Sequence, residues 1–289
     1  MELVAGLVDV FADHPLGGNP LAVVEDADDL SDSQMRKLAG EFNQAETTFI
    51  LKSNKADRKL RSFTASGAEV FGAGHNALGA WIWLAGQGKL GPLDAPQIFH
   101  QEIGDDVLPI TLMQVEGRVL GRMRQSPLRL LPPLADVSAL AAALGLQVDD
   151  ILLTPNPRPA DTGTAHLLVR LRDAGIVDRA KPAADALREV LRKVGAEGCY
   201  VYAHDQIDSG KAYARFFNPT VGLWEDAATG TAAGPLAAYL GQQGLLPEGD
   251  LAVEQGTRMG RKSILNVKLT PEPELSGSGI IIFRGTIRI

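Results

Sequence analysis

Apolar and polar positions alternate in short pieces along most of this chain. Leu7-Val8-Asp9-Val10-Phe11 reads as a half-buried strand. Leu21–Val24 reads as another, beyond the turn-rich segment Asp13–Pro20. Helical spacing begins at Ser31, with Gln34 placed as a capping-box partner. Met35, Leu38, Ala39 and Phe42 form the apolar face of that helix and Asn43 ends it. Thr48–Leu51, Arg61–Thr64, Ile110–Leu112, Gln114–Glu116 and Val119–Arg124 follow as strands, with a linker at Gly91–Pro96. Val137–Leu144 is a small helix closed by Gly145. Strands at Ile151–Thr154 and Ala165–Leu171 enclose a loop at Pro155–Pro159. Pro182 starts a helix that Gly195 closes. Cys199–Tyr202 and Arg215–Phe217 flank a polar turn at Asp205–Lys211, and hairpin-like strands through Ile280–Phe283 and Thr286–Ile289 end the chain. Strands dominate and do not alternate regularly with helices, so the pattern predicts an α+β fold.

Two further helices start in glycine-rich loops. The stretch from Gly222 runs through Glu225-Asp226 to Gly230 and then takes helical spacing at Leu236, Tyr239 and Leu240. Gly74–Gly88 matches Gly230–Gly244 at Gly74/Gly230, Leu84/Leu240, Gln87/Gln243 and Gly88/Gly244. Upstream, Arg61-Ser62-Phe63-Thr64 resembles Arg215-Phe216-Phe217-Asn218, and Gly18–Val24 more weakly resembles Gly163–Val169. The same three-part order thus occurs once in each half, which predicts two similar domains rather than a solenoid. A helix start carries about four unpaired N–H donors and a partial positive charge, and so receives carboxylate or phosphate. Two such starts facing one interdomain cleft would form a ligand site.

Composition narrows the classes. The 289 residues are 45% hydrophobic with a net charge of −7 and no basic run, which argues against a nucleic-acid surface. The N-terminal stretch has an early acid and no positive region, and the apolar runs are too short to span a bilayer. A cytoplasmic protein with no membrane partner is the expectation. The lone Cys199 lies in a strand-like run and reads as a buried, inert thiol. The five histidines are scattered, so no metal site is expected. Gly72-Ala73-Gly74-His75-Asn76-Ala77 matches the dinucleotide pattern G-x-G-x-x-A, but the next acid, Asp94, sits in a loop, and the second copy of the unit lacks the pattern. Taken alone, Glu46 reads first as a surface glutamate and second as a carboxylate at the mouth of a β-layer.

The motifs together resemble the PhzF-like phenazine-biosynthesis family. They are Val8-Asp9-Val10-Phe11, Gly18-Asn19-Pro20-Leu21-Ala22-Val23-Val24, Ala45-Glu46-Thr47-Thr48-Phe49, Gly74-His75, Glu225-Asp226-x-Ala228-Thr229-Gly230, Gly234–Leu240, and Gln255-Gly256 with Gly260-Arg261-Lys262-Ser263. The resemblance implies a diaminopimelate-epimerase-like fold: two pseudo-symmetric domains, each a curved, mostly antiparallel sheet around a central helix. The first would comprise residues 1–117 plus a returning strand at about 277–289, and the second residues 118–276, with the active site in the cleft between them. It also implies cofactor-independent isomerisation of trans-2,3-dihydro-3-hydroxyanthranilate, in which a glutamate moves a proton between carbons. Glu46 matches that glutamate, His75 the helix-start histidine and Asp226 the acid. Asn19, Gly74, Gly230 and Thr231 match substrate-binding positions, Thr231 standing where many members have serine. A small carboxylate is the implied partner, and the family often forms homodimers. His75-Asn76 and Asp226-Ala227 depart from the common pattern. Related racemases carry a cysteine at each helix start, where this chain has Ala73 and Thr229, so a two-thiol mechanism is excluded. A glutamate base works best with its pKa raised toward neutrality. Two other functions remain open on these residues: a carboxylate-binding protein without turnover, and a racemase or dehydratase of a hydroxylated amino acid.

Overall fold

The alternation at Leu7–Phe11 belongs to a longer strand, β1, Glu2–Val10. The computed structural model describes residues 1–204, 210–220 and 223–289. The chain divides into two units, Met1–Arg124 with Ser276–Ile289, and Gln125–Leu275.

In the first unit β1 is followed by β2 (Asn19–Val24), α1 (Asp32–Phe42), β3 (Glu46–Leu51), β4 (Arg58–Thr64), β5 (Glu69–Val70), α2 (His75–Gly86), β6 (Gln97–Ile103), β7 (Asp106–Val115) and β8 (Arg118–Arg124). The capping box at Ser31 and Gln34 is formed, and Asn43 takes the left-handed conformation that ends α1. β2 runs antiparallel to β1 and parallel to β3, and β3 is antiparallel to β4. β4 pairs antiparallel with β5 and parallel with β6, and the meander β6–β7–β8 completes the series. Every residue of α2 from His75 to Leu84 is buried, as expected of a helix apolar on all sides and wrapped by a sheet.

The second unit holds β9 (Arg129–Leu130), α3 (Ser138–Leu144), β10 (Arg158–Asp161), β11 (Ala165–Arg170), α4 (Ala174–Arg179), α5 (Ala184–Val194), β12 (Gly198–Ala203), β13 (Lys211–Asn218), β14 (Leu223–Asp226), α6 (Gly230–Gln242), β15 (Asp250–Gln255) and β16 (Ser263–Leu269). Its pairing sense repeats the first unit in order. β10–β11 is antiparallel, β11–β12 parallel, β12–β13 and β13–β14 antiparallel, β13–β15 parallel, and β15–β16 antiparallel. The three repeat segments found in the sequence therefore fall on equivalent elements: β2 with β11, β4 with β13, and α2 with α6. A final strand, β17 (Pro273–Arg288), begins in the second unit's sequence, and its residues from Gly279 onward pair with β1.

Some expectations change. Leu223–Asp226 is a strand rather than loop, because it finds β13 as a partner. Arg158–Asp161, expected as loop, is β10, and the expected strand at Ile151–Thr154 makes only one bridge, Ile151 to Leu171. The C-terminal hairpin-like pieces form one strand with a bulge opposite Leu7 and Val8. Helix α4 was not foreseen. The boundary at 117/118 moves to 124/125, since β8 pairs with β7 and stays in the first unit. Residues 205–209 of the expected polar turn, and Gly222, lie outside the described residues.

Leu78 is fully buried in α2 and packs where Gly121 brings β8 closest: a Cβ on Gly121 would lie 2.3 Å from Leu78 Cδ1. Leu78→Ala is expected to destabilise the protein by about 2–5 kcal/mol, read from urea unfolding.

Candidate active site

Glu46 is the first residue of β3, half-buried, facing Leu21 of β2 on one side and Thr64 of β4 on the other. Side chains two apart on a strand share a face, so Thr48 lies beside Glu46. Thr48 Oγ1 lies 2.9 Å from Ser62 Oγ and donates to the Asn76 carbonyl at 3.4 Å. The Asn76 amide group donates to Ser62 Oγ at 3.1 Å and to the Gly72 carbonyl at 2.9 Å. This network ties the Glu46 strand to the start of α2. It also corrects one detail of the expected anion cradle. The Gly74 N–H already donates to Asn76 Oδ1 at 2.7 Å, so the donors left for a ligand at this end begin at His75. Asn76, a departure from the family pattern, is thus the internal cap of α2. His75 is buried, its Nε2 has no hydrogen-bond partner among the described residues, and burial lowers its pKa to about 4. At neutral pH it is an uncharged imidazole, able to donate or accept a hydrogen bond but not to supply a cation. Asn19 is buried at the start of β2, opposite Val10.

Asp226, Gly230 and Thr231 belong to the second unit. Asp226 ends β14 and is buried. Its Oδ2 accepts from the Thr229 hydroxyl at 2.7 Å. Behind both lies Gln255, fully buried at the end of β15. Its Nε2 donates to Thr229 Oγ1 at 3.0 Å and to the Asp226 carbonyl at 2.8 Å. Its Oε1 accepts from the Tyr200 hydroxyl at 2.8 Å and from the Thr229 N–H at 3.2 Å. Because Gln255 Nε2 donates to the Thr229 oxygen, the one hydroxyl hydrogen of Thr229 is directed at Asp226. The acid is held as an acceptor. Gly256 lets this loop close: at φ +76° its Cβ would lie 2.4 Å from the Arg261 carbonyl and 2.6 Å from that of Ala227. In α6 the Ala232 and Ala233 amides both turn back to the Thr229 carbonyl, leaving those of Gly230 and Thr231 as first-turn donors. The Thr231 hydroxyl meets His166 Nε2 at 3.0 Å.

The two units differ where their repeats coincide. Leu21 opposite Glu46 in β2–β3 corresponds to His166 opposite Gly198 in β11–β12. The position of Glu46 is therefore held by glycine in the second unit. It is also filled: a Cβ on Gly198 would lie 2.3 Å from the ring of Phe216, the residue equivalent to Ser62. Tyr200, equivalent to Thr48, packs on that ring at 6.1 Å between centroids. One unit carries a carboxylate backed by hydroxyls, and the other carries aromatic rings.

The sequence profile of the phenazine biosynthesis-like protein family (PhzC-PhzF) matches residues 8–285 of this chain. The chain belongs to the PhzC-PhzF family. Similar proteins in this family include the trans-2,3-dihydro-3-hydroxyanthranilate isomerase of Pseudomonas aeruginosa, 31% identical over 96% of this chain and 97% of that protein. An uncharacterised isomerase of Salmonella typhimurium, YddE, is 31% identical over 96% and 95% of the two chains. The crystal structure of a PhzF family protein of Bacillus anthracis superposes with a TM-score of 0.88 over 100% of both chains at 25% identity. The fold is the diaminopimelate-epimerase-like one expected of PhzF proteins. The Thr48–Ser62–Asn76 network, the Gln255 amide and His166 were not singled out from sequence as site residues. Gln255 carried a signal as part of a family motif, and Asn76 as a departure from one. Among the described residues no helix is long and apolar enough to cross a membrane, and no group of His, Cys, Asp or Glu is placed to hold a metal ion.

Gln255→Leu strands the Tyr200 hydroxyl and the Asp226 carbonyl in the interior. It is expected to cost about 2–5 kcal/mol in chemical denaturation, against about 1 kcal/mol for Tyr200→Phe. The buried histidines set a pH dependence. His75 and His166 titrate near 4 when folded and at about 6.5 when exposed. Below pH 6.5 the unfolded chain binds protons that the folded one refuses. Stability therefore falls as pH drops from 6.5 to 4, by up to roughly 3 kcal/mol for each imidazole. Unfolding free energies at pH 7, 5.5 and 4.5 should show this slope reduced in a His75→Asn variant.

Proposed function

We propose that this protein is an isomerase that moves a proton within a small amino or hydroxy carboxylic acid, with Glu46 as the single base. The observation that carries the reading is the unequal pair Glu46 and Gly198. Racemisation commonly uses a base on each face of the carbon, whereas a shift between two carbons on one face needs only one. With Phe216 over Gly198, the second unit has no carboxylate at the place equivalent to Glu46. The name of the Pseudomonas aeruginosa relative supports a dihydro-hydroxyanthranilate as the first substrate to test.

In this reading the residues described above act on the substrate. Its carboxylate takes hydrogen bonds from helix-start donors, the Gly230 and Thr231 amides of α6 and those from His75 onward in α2. Asn19 lies among the groups that hold it. Glu46 removes a proton from one carbon, the electron pair moves through the adjacent double bond, and the glutamic acid returns the proton to another carbon. Asp226, oriented by Thr229 and Gln255, accepts a hydrogen bond from the substrate amino or hydroxyl group. Neutral His75 offers a second hydrogen bond without drawing the charge of Glu46 into an ion pair. The proton transfer uses side chains of the chain itself and no cofactor.

Incubation with trans-2,3-dihydro-3-hydroxyanthranilate in D₂O, followed by NMR, is expected to show rearrangement with deuterium entering the ring. Glu46→Gln keeps the shape and removes the base, and should lower turnover about 10²–10⁴-fold. Full turnover in that variant excludes Glu46 as the base.

A further inference from the structure

We propose that His166 is a positioning residue for the start of α6, holding the Thr231 hydroxyl so that its hydrogen is donated to the carboxylate bound there. This rests on the reading of the α6 start as a carboxylate site.

His166 interrupts the apolar run of β11 at the place where the first unit has Leu21, and both are buried. An imidazole replacing leucine in a core needs a reason, because a buried polar group without partners costs roughly 1–3 kcal/mol. Here one ring nitrogen has a partner and the other has none. Nε2 lies 3.0 Å from Thr231 Oγ1, and Nδ1 is buried with no hydrogen bond among the described residues. The ring cannot turn freely. The edge of Phe216 packs against it at 4.8 Å between centroids and 83° between planes.

Burial holds the imidazole neutral at neutral pH, with the charge of nearby Asp161 opposing only in part. Asp161 is itself engaged by Arg129 and by the Gly163 N–H. A neutral imidazole has one N–H and one bare nitrogen. A proton on Nδ1 would leave a buried donor with no acceptor, the rarer and costlier state. A proton on Nε2 leaves only a lone pair unmatched and donates to Thr231 Oγ1. The Thr231 hydroxyl then has an acceptor site filled and one hydrogen to give elsewhere. Thr231 lies in the first turn of α6, so that hydrogen joins the Gly230 and Thr231 amides as a third donor to an anion. Leu21, the equivalent residue, can do none of this. The first unit carries His75 at the helix position that corresponds to Thr231.

Two measurements test the assignment. The ¹⁵N shifts of the imidazoles at neutral pH should show His166 protonated on Nε2, and an Nδ1–H tautomer overturns the proposal. Calorimetric titration should then compare anthranilate with its neutral isostere 2-aminobenzamide. Wild type is expected to prefer anthranilate. His166→Leu should lower anthranilate affinity about tenfold, the equivalent of one charge-assisted hydrogen bond, and leave 2-aminobenzamide unchanged. His166→Gln, which keeps a donor, should recover most of the loss. Equal weakening of both ligands marks a merely structural role and overturns the proposal, as does unchanged binding of both. Should His166→Leu fail to fold, Thr231→Ala and Thr231→Ser replace it. The alanine variant should reproduce the selective loss and the serine variant should not, and indifference of anthranilate to Thr231→Ala overturns the proposal. A wild type that does not prefer anthranilate removes the carboxylate reading of the α6 start and His166's role with it. A wild type that prefers it beside an indifferent His166→Leu removes only the latter.

Discussion

A helix enclosed by a sheet on every side can be polar only at its ends. α2 and α6 are both of this kind, their walls built of residues such as Leu78, Trp81, Leu236 and Leu240. Their first turns bring unpaired amides into surroundings where water cannot reach them cheaply, and each amide needs an acceptor from the protein or from a ligand. The chain supplies part of what is needed. Asn76 caps Gly74 at one start, and Gln255 takes the Thr229 amide at the other. At His75, and at Gly230 and Thr231, the first-turn amides are left to such an acceptor. Tight burial of the helices and the concentration of polar groups at their starts are one fact seen from two sides.

Much of this was legible in the residues. The repeat of Arg61–Thr64 in Arg215–Asn218, and of Gly18–Val24 in Gly163–Val169, predicted paired elements, and the strand pairings place them at equivalent positions. Ser31 with Gln34, and Asn43, marked both ends of α1, since capping chemistry is local. What escaped depends on partners far away in sequence. Leu223–Asp226 looked like a glycine-led loop because nothing local announces that β13 waits beside it. Pro159 argued for a loop at β10, which pairs with both β9 and β11 nonetheless. His166 stands in Ala-His-Leu-Leu-Val with no neighbour to suggest a hydroxyl opposite it. The weak repeat of Gly18–Val24 in Gly163–Val169 sets it against Leu21, and the pairings of β2 and β11 place the two at equivalent positions.

The two halves have kept their framework and parted in their inner faces. Thr48, Ser62 and Asn76 make a hydroxyl-rich floor beside Glu46, while Tyr200, Phe216 and Gly198 make an aromatic one. A carboxylate buried among rings would be costly to ionise. The asymmetry gives the first unit a carboxylate at this place and leaves the second with glycine there and with Asp226 oriented by Thr229.

The last strand bears on how such a chain is made. β1 pairs along its length with the final residues, Asp9 with Ile280 and Glu2 with Arg288, whereas Gln125–Leu275 form their unit from one unbroken stretch. On the ribosome the later-made unit is therefore the first to be complete. At about 5–20 residues per second, β1 waits tens of seconds with one edge uncovered, open to any strand that passes. A transcript truncated shortly after Leu275 would yield a finished second unit attached to a first one still missing the partner of its opening strand.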